Sequence, residues 1–134
     1  MSIIPEQFSG PLLSLLRFVT GLLFLEHGSM KLLNFPPSDH PGGSPGGIIL
    51  VAGLFELIGG ALVSVGLFTR VVAFVLSGEM AVAYFTAHFP HSFYPAINQG
   101  DAAILFCFVF LYLAAAGAGP VSVDAKLGGT KAKA

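Results

Sequence analysis

The chain has 134 residues, enough for one domain, and is 54% hydrophobic but only 10% charged, against ~25% charged for an ordinary soluble domain. With four stretches of about 18 or more largely apolar residues, that balance marks an integral membrane protein in contact with lipid. A net charge of −1 without a basic cluster excludes a nucleic-acid partner, and Cys107, the single cysteine, excludes thiol–disulfide exchange within the chain.

The lead MSIIPEQFSG lacks a basic n-region, and no small-x-small cleavage site follows an apolar core. The first helix is therefore expected to be retained rather than removed as a signal peptide. Ser9-Gly10-Pro11 reads as its start, with proline where a missing N–H does no harm, and it is predicted over about 11–34. The segment FPPSDHPGGSPGG that follows can neither continue a helix nor build a core. A second helix is predicted over about 47–68, with Glu56 its only charge. Thr69-Arg70 forms a tight junction into a third, about 71–89, carrying Glu79 and ending at His88. The loop PHSFYPAINQG places Phe93 and Tyr94 where interfacial aromatics sit. A fourth helix is predicted over about 101–118, and the polar residues 119–134 read as a flexible tail. The fold class expected is an all-α bundle of four transmembrane helices forming one domain over 1–134.

Basic residues near helix ends set orientation. Arg70, Lys126, Lys131 and Lys133 fall on one side when four spans are threaded, and the loops at 35–46 and 90–100 contain no Lys or Arg. The expected topology is a multi-pass protein of the cell (inner) membrane with both termini cytoplasmic.

The polar residues inside these helices carry the functional signal, because a charge at the bilayer centre costs at least ~2.5–3.5 kcal/mol and is normally received by protein or a wet cavity. Counted inward at ~1.5 Å per residue, Glu26, Glu56 and Glu79 lie ~12–15 Å deep, near the midplane of a ~30 Å core. His27, Lys31, His88 and Asp101 fill the layer toward the outer face, beside Asn98 in the second loop. These eight residues are the candidates for a ligand or proton site; none is assigned a catalytic role. Helical phase adds a packing face: Ala52, Glu56, Gly60 and Ser64 recur at i, i+4, with Gly53 and Gly59 alongside, and small residues let membrane helices approach closely. His27 and Lys31 share a face with Gly28, and Arg17 lies within about 40° of Lys31 but deeper. Arg17, Arg70, Gly28, Gly59 and Gly60 are read as structural.

Each feature also has a plainer reading. A buried pair made by Glu56 or Arg17 can simply hold helices in register, His88 can be an interfacial residue at a helix end, and Cys107 can be inert packing. No metal site is expected, since the Glu-x-x-His pairs of di-iron bundles are absent and Glu26 and His27 point about 100° apart. Haem would need a second deep axial ligand that the sequence lacks, and no flavin or nucleotide motif is present.

Together, RFVTGLLFLEHGSMKLL, FELIGGALVSVGLFTRVVAF, GEMAVAYFTAHFP and FYPAINQGDAAILFCFVFLYLAAAGAGPVSVDA resemble the DoxX family of small four-helix bacterial membrane proteins, over about residues 12–125. The family pattern falls on His27-Gly28 with Lys31, Glu56 with Gly59-Gly60, Gly66 with Thr69-Arg70, Asn98 with Gly100-Asp101, and Gly119-Pro120 with Ser122 and Asp124. The acid after the glycine is often Glu in relatives, so Asp101 is a shortened version. The resemblance implies a link to quinone-dependent sulfur oxidation, as a subunit of a thiosulfate:quinone oxidoreductase or terminal oxidase assembly, or to membrane complexes handling oxidative or thiol stress.

Three functions follow as expectations. The first is a membrane subunit of a quinone-linked oxidoreductase or thiol-stress complex, with quinone the ligand and a protein partner supplying electrons, or with the chain forming a homo-oligomer. The second is a scaffold or assembly factor whose polar layer only specifies packing. The third, a small-solute carrier, lacks the inverted repeat and broken helices of transporters.

Overall fold

The computed structural model describes residues 3–38 and 46–131, with side chains to residue 128. Among these every regular element is helical: α1 (Ser9–Leu33), α2 (Ile48–Val65), α3 (Thr69–Ala83), the short α4 (Pro95–Asn98), α5 (Asp101–Ala116) and α6 (Val123–Lys131). α3 runs on through a π turn, Tyr84–His88, and a 3-10 turn, Phe89–His91.

Among the described residues three helices are long and apolar enough to cross a membrane: Glu6–Leu33, Ile48–Val65 and Thr69–His91. α5 is apolar but shorter, at 16 residues.

Local chemistry explains the boundaries. Asn34 takes the left-handed conformation (φ 53°) and closes α1 with its N–H on the Ser29 carbonyl. Gly66 does the same for α2 at φ 73°, its N–H reaching the Leu62 and Val63 carbonyls, while Leu67 N–H also reaches Leu62 O at 2.9 Å. Only glycine adopts that conformation without cost, which is why so many helices end on it. α5 stops at Ala116 rather than 118 because Gly117 (φ 90°, ψ −166°) leaves helical space.

α1 packs chiefly on α2, α3 chiefly on α5, and the α2–α3 contact joins the two pairs. The core is small and lies where all four meet: Phe24, Val63, Leu76, Met80, Phe110 and Leu113 are buried. Phe24 of α1 meets Phe110 of α5 edge-on at 4.8 Å between centroids, a geometry that favours aromatic pairs beyond their buried area.

Two expectations change. Residues 119–134 are not simply a frayed tail: α6 forms over Val123–Lys131 and is anchored by side-chain hydrogen bonds to the bundle. Most of the first Pro/Gly loop (39–45), and the terminal residues with Lys133, lie outside the described residues.

Candidate functional site

A close approach of α1 and α2 brings a charge pair together. Glycines face backbone across the α1–α2 seam: a Cβ on Gly60 would stand 2.5 Å from Leu25 N, and one on Gly28 would fall on the Leu57 and Glu56 backbone. With no side chains to separate them, the helices sit close, and Lys31 reaches across to Glu56. The Lys31 ammonium donates to Glu56 Oε1, forming an ion pair with an acid that is 2% exposed. An ammonium has three donors, so Lys31 retains two beyond this bond.

Glu79 arrives from α3. It lines the same cavity as Lys31, whose partner is Glu56, so one residue from each of three helices contributes to a single cluster. Both Glu79 oxygens and Glu56 Oε2 are buried, and no described residue donates to any of the three. A buried carboxylate oxygen without a donor costs free energy, and native structures generally avoid it. Here three occur together.

Lys31 and Glu79 line a cavity of about 540 Å³ between α2 and α3, with Ala52, Gly78 and Thr86 among its walls. Gly78 has open space where a Cβ would be, and the π turn supplies Thr86 and Ala87. The volume falls in the range of small-molecule sites, which are mostly apolar with a few convergent polar groups. The cluster can therefore accept hydrogen bonds through carboxylate oxygens and donate them through an ammonium. Gly78 and Thr86 went unremarked in the sequence, although Val75, Gly78, Glu79, Val82 and Thr86 recur at helical spacing on one face of α3.

The other candidates lie elsewhere. Glu26 matches Glu56 and Glu79 in depth but is exposed on α1. Gly28 faces α2, and Glu26 lies two residues, or about 200°, away from it, so equal depth does not bring it into the cluster. His27 is also exposed and meets Phe106 of α5 edge-on at 6.0 Å. His88 and Asn98 instead tie the second loop. His88 Nδ1 is 3.0 Å from the Asn98 carbonyl and stacks against Tyr84. The buried Asn98 amide donates to Ser92 O at 2.8 Å and accepts Gly100 N–H at 2.8 Å. Asp101 is exposed in the first turn of α5, where an acid suits the positive helix end.

The two arginines read as structural belong to a second polar assembly, at the opposite end of the bundle. Arg17, 3% exposed, donates to four carbonyls: Ala118 at 2.7 Å, Val63 and Val121 at 2.6 Å, and Ser64. It thereby fastens the α2 C-terminus to the segment after α5, rather than pairing with a membrane carboxylate. Arg70 reaches the Ala114, Ala115 and Ala116 carbonyls at the end of α5. Asp124 caps α3, accepting Phe68 N–H at 2.8 Å and Thr69 N–H at 2.9 Å. Burial opposes ionisation of this carboxyl, but those N–H bonds and the Arg17 charge outweigh it and hold the group below the usual aspartate range. Gly59 lies on the α3 side of α2, where a Cβ would meet Leu76 Cδ2 at 2.8 Å.

Residues 12–89 match the family model described as DoxX. An uncharacterized protein of Haemophilus influenzae is 41% identical over 126 residues, which cover 90% of this chain and 94% of that protein. No solved structure matches.

Proposed function

The chain belongs to the DoxX family of membrane proteins, and from that premise we propose that it is a membrane subunit of a quinone-linked redox complex, with its ligand held at Lys31 and Glu79. The observation that carries this reading is the trio of donor-less buried carboxylate oxygens beside a 540 Å³ cavity. A device for packing alone would be expected to satisfy its acids. Lys31–Glu56 satisfies one oxygen, while both Glu79 oxygens lack a donor in a residue that lines space large enough for a head group.

Within this reading Lys31 donates to a carbonyl, Glu79 accepts from a hydroxyl, and Glu56 holds Lys31 in place. A bound quinone would supply the electron-accepting chemistry. The electrons come from a protein partner, since the single cysteine provides no dithiol of the chain's own.

The topology proposed is four spans, α5 being the fourth, in the cell (inner) membrane with both termini cytoplasmic. Arg70 and Lys126 then sit on the inner side, as basic residues near span ends do. Glu26 supports a protein neighbour. A carboxylate exposed at that depth is costly against lipid, so a partner or second copy is proposed to cover the outer face of α1.

The test is extraction of the purified protein with organic solvent. Quinone in the wild-type extract, and its loss from Glu79→Gln protein that melts normally, is the expected result. A clean wild-type extract from quinone-containing membranes, with added quinone leaving the melting temperature unchanged, would overturn it.

A further inference from the structure

The cavity at Glu79 has a neighbour along the α2–α3 seam. A second space of about 310 Å³ is lined by residues that include Leu54, Ile58, Leu62 and Val71, and its walls carry no charged or polar side chain. Phe55 and Val75 line both spaces, so a chamber with Lys31 and Glu79 in its wall adjoins an apolar groove on the same helix pair. From Leu54 to Leu62 the groove follows α2 for ~12 Å at 1.5 Å per residue. Its outer edge is open: Ile58 is 57% and Val71 70% exposed.

Resting on the reading of the chamber as a quinone site, we propose that the seam is a bipartite site for a single-tailed amphiphile of the prenylated quinone–hydroquinone class, its head in the chamber and its tail along the groove. The chamber selects the head. Glu79 in its wall and Lys31, already paired to Glu56, disfavour a carboxylate or phosphate head through like-charge repulsion at Glu79. Instead they suit a neutral group that accepts from Lys31 and donates to Glu79, as a hydroquinone or half-reduced head does. The groove selects the tail, because it offers apolar surface and nothing to hydrogen-bond. Its open outer edge lets the ligand enter sideways from the bilayer, tail and head together, with no passage through water.

The experiment compares two probes on the full chain in detergent, by equilibrium binding and by melting shift: decyl-benzohydroquinone and the same head group without a tail. The tailed probe is expected to bind at least about tenfold more tightly. Ile58→Trp, which fills the groove from its exposed edge, should erase that advantage and leave binding of the tail-less head unchanged. Glu79→Gln should weaken both probes alike. If Ile58→Trp melts abnormally, Val71→Trp takes its place. Equal affinity of the two probes for wild type, or a tail advantage that survives the tryptophan, overturns the groove while the head-group reading stands. Failure of both probes to bind overturns the groove and that reading together.

Discussion

Lys31 on α1 and Glu56 on α2 form an ion pair with unequal ends: the Glu56 side chain is 3% exposed and that of Lys31 33%. The two partners should therefore differ in what their loss costs. Lys31→Met leaves a carboxylate buried with no described donor, and breaking a buried pair costs about 3–5 kcal/mol. Glu56→Gln leaves an ammonium that can turn toward its exposed side, so its loss should be smaller. Removing both should recover much of the Lys31→Met deficit. Melting of the two single variants and the double in detergent checks this. Equal losses that simply add would mean the pair is not coupled.

Two helical glycines, Gly60 in the α1–α2 seam and Gly78 on α3, predict opposite outcomes. Gly60→Leu drives a side chain into the Leu25 backbone, which cannot rotate away, so the loss should reach the top of the ~1–3 kcal/mol range for overpacking. Gly78→Ala adds a Cβ where nothing lies within 4 Å. There the usual gain of roughly 0.5–1 kcal/mol for replacing a helical glycine should appear. A melting temperature unmoved by Gly60→Leu would place that face against lipid.

How much of this could be read beforehand follows from the physics of each residue. The Ala52–Glu56–Gly60–Ser64 spacing reports an azimuth directly, and Glu56, Gly60 and Ser64 are buried. Depth alone misled at Glu26, because counting along a helix says nothing about which way a side chain points. What Arg17 and Asp124 bind was hidden for another reason. Their partners are backbone groups 46 to 104 and 55 to 56 residues away, and every residue type offers the same backbone groups. The family pattern singled out Asp124, but a polar, Gly-containing tail gave no sign of what it anchors.

Reporter fusions test the proposed orientation. Fusions at the N-terminus and after Lys126 should report inside, and fusions at Ala96 and at Gly43, which lies outside the described residues, should report outside. A cytoplasmic signal at Gly43 would invert the bundle, moving the Arg17 assembly to the outer face and the Glu79 chamber toward the inner one.

Asp124 makes the stability of the Arg17 end depend on acid. Its carboxyl is held below the usual aspartate range, so the sign follows from linkage. The unfolded chain protonates it near pH ~3.9, and the folded chain only at lower pH. Its contribution is thus fully present above ~3.9 and is lost as pH falls through the folded value. Asp124→Asn keeps one acceptor oxygen but cannot ionise. The melting gap between wild type and Asp124→Asn should stay constant above about pH 5 and close as pH drops below about 4. Asp124→Ala removes both acceptors from the Phe68 and Thr69 N–H groups. It should cost about 1 kcal/mol at neutral pH, as loss of a helix cap does. A gap that widens on acidification would mean that the carboxyl is held above the aspartate range, with its desolvation outweighing the N–H bonds and the Arg17 charge.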